Sequence, residues 1–257
     1  LTDAYINFLL EVAQIDGLDF SRLQVVVDTG NGMTGLILPK LLAKLNINSI
    51  PLNFEIDGRM PNRGSDVARD ENIKEVHKKV IEMNADYGVA FDGDGDRIAV
   101  IDNLGNRIRA DLILALLYKE ALIPLKVVYD FRISRAVKEL IASNGVPSKV
   151  GHTHMKQVMR EQQADIGAEL SGHFFFREMH HAESAVLVML RLLKILAGHH
   201  EPLSELVKPW LKKWHHSGEI LIEADPAQAR AIFEILKSKY SEGEINEFDG
   251  LSIEYPS

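Results

Sequence analysis

Leu23-Gln24-Val25-Val26-Val27-Asp28 is a β-branched run too continuous for a half-exposed strand, and it reads as a buried parallel strand. A glycine-rich turn follows, from Gly30 to Gly35. Leu36 to Leu45 then has helical periodicity, and Ser49 to Phe54 returns to strand character. Together these segments make one strand–helix–strand unit. A second opens at Lys126-Val127-Val128-Tyr129-Asp130 and continues as helix from Ser134 to Ala142. It turns at Asn144-Gly145 and re-enters a strand near Ser148 to Val150.

An internal echo relates the two units. Ala85-Asp86-Tyr87-Gly88 and Ala164-Asp165-Ile166-Gly167 each follow an amphipathic helix. Five residues after each glycine stands another, Gly93 or Gly172, ahead of a strand (Ile98 to Ile101; His173 to Phe176). Two copies this far apart do not make a solenoid. They predict an α/β protein with two related domains in tandem, each a strand–helix–strand arrangement on a mixed sheet, over residues 12–120 and 121–215. Ala4 to Val12 is apolar at helical spacing, so 1–11 reads as a linker helix. The aliphatic stretch Val186 to Leu196 reads as a buried helix with Arg191 and Lys194 at the surface. Residues 216–257 offer a strand (Ile220 to Glu223), a proline-started helix (Pro226 to Tyr240) and a strand (Leu251 to Tyr255). That is the expected pattern of an incomplete α+β domain, and the chain reads as part of a longer one.

The 257 residues are 46% hydrophobic and 26% charged, enough apolar material for real cores and too much for a disordered chain. Cysteine is absent, which excludes disulfide scaffolds, thiolate zinc sites, iron–sulfur clusters and cysteine nucleophiles. The 29 Lys and Arg against 37 Asp and Glu leave a formal charge of −8, which argues against broad nucleic-acid or anionic-membrane binding. A small phosphorylated ligand stays compatible, since a local cluster of cations can oppose the global sign. Apolar runs such as Leu112 to Tyr118 fall well short of the roughly 18 residues a spanning helix needs. The first residues lack the basic segment of a secretory signal. The expectation is a cytoplasmic protein with no membrane or nucleic-acid partner; nothing in the sequence sets its oligomeric state.

Phe91-Asp92-Gly93-Asp94-Gly95-Asp96-Arg97 carries the strongest chemical signal. Three carboxylates at i, i+2 and i+4, spaced by glycines between two apolar strands, repel one another unless a cation holds them. Such hard oxygen ligands suit Mg²⁺, with room left for a phosphate oxygen and water. An EF-hand fits poorly, because its sixth position is Arg97 instead of glycine and its twelfth is Asn103 instead of glutamate. Glu169-Leu170-Ser171-Gly172-His173 occupies the matching place in the second domain. An acceptor, a hydroxyl and an imidazole there suit sugar hydroxyls. The G-x-S-x-G elbow of serine hydrolases is absent, since Glu169 stands two before Ser171. Arg132, His152 and Lys156 follow strands of the second domain, where such folds bind ligands, and would give a basic lining suited to phosphate. The pairs His152/His154, His180/His181, His199/His200 and His215/His216 lack a further ligand at zinc spacing and read as exposed histidines. Gly30-Asn31-Gly32-Met33-Thr34-Gly35 matches the G-x-G-x-x-G dinucleotide fingerprint, with Glu55 placed for a ribose hydroxyl. The favoured reading is a tight turn that needs glycine for geometry, since Asp28-Thr29 intervene before the first glycine and Asp28 would put negative charge beside a pyrophosphate.

Taken together, Asp28 to Gly32, Phe91 to Arg97, Asp130 to Arg135, Gly151-His152 and Glu169 to His173 resemble the second and third domains of the α-D-phosphohexomutases, in the phosphomannomutase/phosphoglucomutase branch. Ser217-Gly218-Glu219-Ile220 resembles the beginning of the fourth. The resemblance implies Mg²⁺-dependent phosphoryl transfer between C1 and C6 of a mannose or glucose phosphate, through a phosphoserine on a first domain. Asp92, Asp94 and Asp96 would hold Mg²⁺, with Arg97 beside the phosphoryl group. Glu169 and Ser171 would grip sugar hydroxyls, His173 and Arg132 would handle protons or charge, and His152 and Lys156 would bind the substrate. Three features depart from the family, one of them the absence of the Arg/Ser/Asn/Thr phosphate-binding loop of the fourth domain. The phosphoserine motif T-A-S-H-N is missing, and Ala182-Glu183-Ser184-Ala185 stands where A-D-S-G or D-D-G is usual. The 257 residues alone are therefore expected to be inactive. The competing readings are an NAD-dependent oxidoreductase using Gly30 to Gly35, and a metal-stabilised sugar-binding fragment with no turnover.

Overall fold

A computed structural model describes residues 1–212, 214, 217, 220 and 222–255. The first part contains α1 (Thr2–Ala13), β1 (Gln24–Asp28), α2 (Leu38–Leu45), β2 (Asn48–Leu52), α3 (Asp70–Met83), β3 (Tyr87–Phe91), β4 (Ile98–Asp102), β5 (Arg107–Ile108) and α4 (Ala110–Lys119). The second contains β6 (Val127–Asp130), α5 (Arg135–Ile141), β7 (Gly145–Ser148), α6 (His152–Gln162), β8 (Ile166–Ala168), β9 (Phe174–Phe176), β10 (Ala182–Glu183), α7 (Ala185–Gly198) and α8 (Leu203–Leu211). Then come α9 (Pro226–Lys239), β11 (Glu244–Asn246) and β12 (Ser252–Glu254).

Among the described residues the fold is α/β, with two five-stranded sheets of identical plan: β2-β1-β3-β4-β5 and β7-β6-β8-β9-β10. In each, three parallel strands are followed by two antiparallel ones. The sequence echo has a physical basis in this duplication. Asp86 accepts from the Gln24 N–H at the foot of β1, at 2.7 Å; Asp165 accepts from the Lys126 N–H at the foot of β6, at 2.8 Å. Each aspartate thereby pins a parallel strand to its neighbour and satisfies a backbone donor that the ladder leaves over.

The element boundaries shift where tertiary pairing intervenes. The helix expected over Leu36 to Leu45 is split into a 3₁₀ turn, Met33–Leu36, and α2, with Pro39 in the first turn, where a missing N–H costs little. The strand expected near Ser148 to Val150 instead ends at Ser148, because parallel pairing sets Val127 against Gly145 and Asp130 against Ser148. Ile220, Ile222 and Glu223 carry no strand; Leu221, His215, His216, Gly218 and Glu219 lie outside the described residues. The proline-started helix is present as α9, closed by a capping box in which Asp225 accepts from the Ala227 and Gln228 N–H groups. β12 pairs with β11, a strand that the sequence pattern did not reveal.

One apolar core spans both sheets, from Val25 and Tyr87 through α7 to Val127 and Phe174. Helix α1 contributes Ile6, Leu9 and Ala13 to it. The Tyr87 hydroxyl donates to the Met189 carbonyl at 3.3 Å, and Arg22 donates to the carbonyls of Leu196, Ala197 and His199 at the end of α7. The Arg22 bonds satisfy carbonyls that a helix terminus otherwise leaves unpaired. Arg191 and Lys194 sit on the outer side of α7, the first over the Phe176 ring and the second donating to Gln14. No helix among the described residues is long and apolar enough to cross a membrane.

Candidate active site

The aspartate-rich loop connects β3 to β4. Asp92 is buried and organises it: Oδ1 accepts from the N–H groups of Gly95 (3.0 Å) and Arg97 (3.1 Å), and Oδ2 accepts from Arg97 Nε (2.7 Å). Gly95 has φ of +82°, and a Cβ there would lie 2.5 Å from Thr34 Cγ2, so the turn requires glycine. Asp94 is exposed and Asp96 half-buried; one carboxylate oxygen from each of Asp92, Asp94 and Asp96 lies within 4.8 Å of the others. Burial raises the Asp92 carboxyl above its usual pKa, Arg97 opposes that shift, and neighbouring Asp96 adds to it. Arg97 also donates to Asp66 at 3.1 Å.

The loop between β8 and β9 has the same construction. Its closing bond, from the Glu169 N–H to the His173 carbonyl, matches that from the Asp92 N–H to the Arg97 carbonyl. Glu169 is 3% exposed; Oε1 accepts from the Gly151 N–H at 2.7 Å, and Oε2 lies 2.9 Å from His173 Nδ1. Ser171 Oγ is also 2.9 Å from His173 Nδ1. His173 Nε2 reaches Asp96 Oδ2 at 3.2 Å. Burial disfavours the imidazolium, but the bond to Glu169 and the charges of Asp96 and Glu169 outweigh it, so His173 titrates above its usual value. The two loops also join through their backbones: Arg97 and His173 form an antiparallel bridge, and the Ile98 N–H donates to the Gly172 carbonyl.

The structure thus brings together Asp92, Asp94, Asp96, Arg97, Glu169, Ser171 and His173. His152 and Lys156 lie on α6 and meet Glu183, Lys156 Nζ at 2.7 Å and His152 Nδ1 at 3.9 Å. Glu183 belongs to the unusual Ala182–Ala185 turn, whose Ser184 caps α7 by accepting from the Leu187 N–H. Arg132 pairs with buried Asp130 at 2.7 Å and lines a cavity of about 430 Å³ with Phe131, Arg135, Lys138 and residues of the β11–β12 hairpin.

The glycine-rich turn is packed by the protein itself. A Cβ at Gly32 would lie 2.6 Å from the Gly93 carbonyl oxygen, and one at Gly30 would lie 2.4 Å from Arg63 Cζ. Asn31 is tied to the backbone at Glu55, and the turn leads into a 3₁₀ segment instead of the α-helix N-terminus that a pyrophosphate needs. The glycines therefore serve close approach of the protein's own backbone and Arg63, against the dinucleotide reading. Arg63, Asp66 and Glu183 were not legible as site residues. They lie in irregular or very short segments, and their partners are remote in sequence.

Two copies of one α/β domain, joined loop to loop beside a carboxylate triad, define a duplicated α/β/α protein with a junction suited to a hard cation. Residues 3–105 match "Phosphoglucomutase/phosphomannomutase, alpha/beta/alpha domain II", and residues 105–213 match domain III of the same description. The chain belongs to the α-D-phosphohexomutase family. It is 35% identical to a phosphomannomutase of Methanocaldococcus jannaschii over 239 residues, covering 91% of this chain and 53% of that one. It is 36% identical to a phosphomannomutase/phosphoglucomutase of Pseudomonas aeruginosa over 243 residues, covering 91% and 52%. A phosphoglucomutase/phosphomannomutase family protein of Burkholderia thailandensis superposes with a TM-score of 0.81 at 29% identity, covering 99% of this chain and 55% of that one. The chain spans about half the length of the relatives it matches.

Proposed function

We propose that the chain supplies the metal-binding and sugar-binding domains of a cytoplasmic, Mg²⁺-dependent phosphohexomutase that moves a phosphoryl group between C1 and C6 of a mannose or glucose phosphate. The contact of His173 Nε2 with Asp96 Oδ2, at 3.2 Å, carries this reading, because it sets the sugar loop directly beside the carboxylate triad. Asp92, Asp94 and Asp96 would hold Mg²⁺; an all-oxygen donor set with oxygens this close fits the ion. When bound, Mg²⁺ neutralises charge on a phosphoryl group in transfer.

The remaining roles fall to the chain's own side chains. Arg97 fixes Asp92 and adds positive charge next to the triad. His173 faces Asp96 through Nε2 and Glu169 and Ser171 through Nδ1, which suits it to exchange a proton with a sugar hydroxyl. Ser171 and Glu169 orient His173 and offer the polar edge against which a sugar is positioned. Arg132 contributes positive charge from the cavity beside Asp130, while His152 and Lys156, balanced by Glu183, line the neighbouring helix start. The phosphoryl donor in this reading is a phosphoserine outside the 257 residues.

A coupled mutase assay tests the proposal. With glucose 1,6-bisphosphate as activator, the 257-residue chain is expected to show no appreciable turnover, since transfer needs a donor held in line. The parent protein, phosphorylated on its serine, is expected to interconvert hexose 1- and 6-phosphates. An inactive phosphorylated parent would contradict the proposal.

A further inference from the structure

The metal loop hangs from Phe91, the last residue of β3. Arg63 reaches its root from the irregular connection between β2 and α3. Its side chain is 6% exposed, and all three guanidinium nitrogens are engaged. Nε donates to Asp28 Oδ2 at 2.6 Å, Nη2 to the Phe91 carbonyl at 2.6 Å and Nη1 to the Gly64 carbonyl at 3.1 Å. Asp28 and Phe91 end the adjacent parallel strands β1 and β3. The other oxygen of Asp28 accepts from the Gly30 N–H at 2.7 Å and from Asn53 Nδ2 at 3.0 Å. One guanidinium therefore crosses the ends of the two strands that carry the glycine-rich turn and the aspartate loop.

We propose that Arg63 is a positioning residue for the metal site: it locks the root of the Asp92–Arg97 loop to the end of β1, so that the three carboxylates are gathered before a divalent cation arrives. The proposal rests on the Mg²⁺ reading above. Three like charges in a short loop repel, and a loop free to splay would have to be ordered by the ion itself, at the expense of affinity. Asp28 balances the charge of Arg63, so the guanidinium acts on the loop through geometry more than as a counter-charge. Lysine preserves the charge but cannot reproduce the planar fork that spans Asp28, Phe91 and Gly64.

The test uses Mn²⁺ as probe, with the free ion followed by electron paramagnetic resonance during titration of the 257-residue chain. The wild type is expected to bind Mn²⁺ saturably, and a variant with Asp92, Asp94 and Asp96 all changed to Asn is not. Arg63→Lys is expected to lower the affinity about 10- to 100-fold, while circular dichroism and the cooperative melt without metal persist. Gly30→Ala perturbs the same lock by another route: its Cβ meets the guanidinium without removing charge, and at φ of +55° it also strains the turn. Arg59→Ala, on an exposed residue of the same connection paired to Asp57, is expected to bind like wild type. Arg63→Lys and Gly30→Ala proteins that bind Mn²⁺ as tightly as wild type overturn the proposal. Should Arg63→Lys not fold, tight Mn²⁺ binding by Gly30→Ala still overturns it. A wild type that binds no better than the triple Asn variant overturns the Mg²⁺ reading itself, and this proposal with it.

Discussion

The three aspartates of the loop between β3 and β4 differ in what they do without an ion. Asp94 is exposed, so Asp94→Asn is expected to change stability in chelator by no more than about 0.5 kcal/mol while weakening metal binding. Asp92 is 1% exposed and holds Arg97 Nε and two backbone N–H groups. Asp92→Asn is therefore expected to cost about 1.5–3 kcal/mol, the range for a hydrogen bond to a charged group, measured by urea denaturation without metal. The triad was legible because clustered carboxylates between glycines have few physical explanations. Glu169, Ser171 and His173 were legible as an acceptor, a hydroxyl and an imidazole within five residues at the matching place in the second domain. The bond from His173 to Asp96 was not, because it joins residues 77 apart in sequence and depends on how the two domains pack. Asp28 is the buried partner of Arg63, which the sequence did not show, because no local pattern announces a long-range ion pair.

At the level of elements, the continuous apolar runs were reliable guides because these strands are covered on both faces. Phe174 and Phe176 join the core shared by both sheets, whereas Phe175 packs on the opposite face with Met155 and Met159 of α6. Phe175→Ala is expected to destabilise the chain by about 3–5 kcal/mol, read as a shift of the urea midpoint without a change in slope. The two-residue strands β5 and β10 were invisible, since segments that short are fixed only by their neighbours. The same holds for β7, whose start at Gly145 is dictated by pairing with β6 and not by its own composition. Helix α7 was read correctly as buried, but not the device that ends it: Arg22, reaching three carbonyls from another part of the chain.

Over the whole molecule, the duplicated sheets share one core, and Tyr87, Arg22 and His199 tie the halves together, the last through Glu120 at 2.9 Å. Calorimetry is therefore expected to show both sheets melting in one transition; two well-separated transitions would contradict a common core. Unity of the halves is also what keeps the aspartate loop against the Glu169–His173 loop, and with it the proposed chemistry. The internal repeat made the tandem plan legible, whereas the docking of one copy on the other was not, because it is built from scattered apolar contacts. Mg²⁺ at Asp92, Asp94 and Asp96 is the claim on which the functional reading turns, and scanning calorimetry of the 257-residue chain in millimolar Mg²⁺ addresses it most directly. At a concentration roughly ten times the Kd, the ion is expected to add about 1.4 kcal/mol of stability and raise the melting temperature, and the triple Asn variant is expected to gain nothing. An equal gain in both proteins, or none in either, would contradict the assignment.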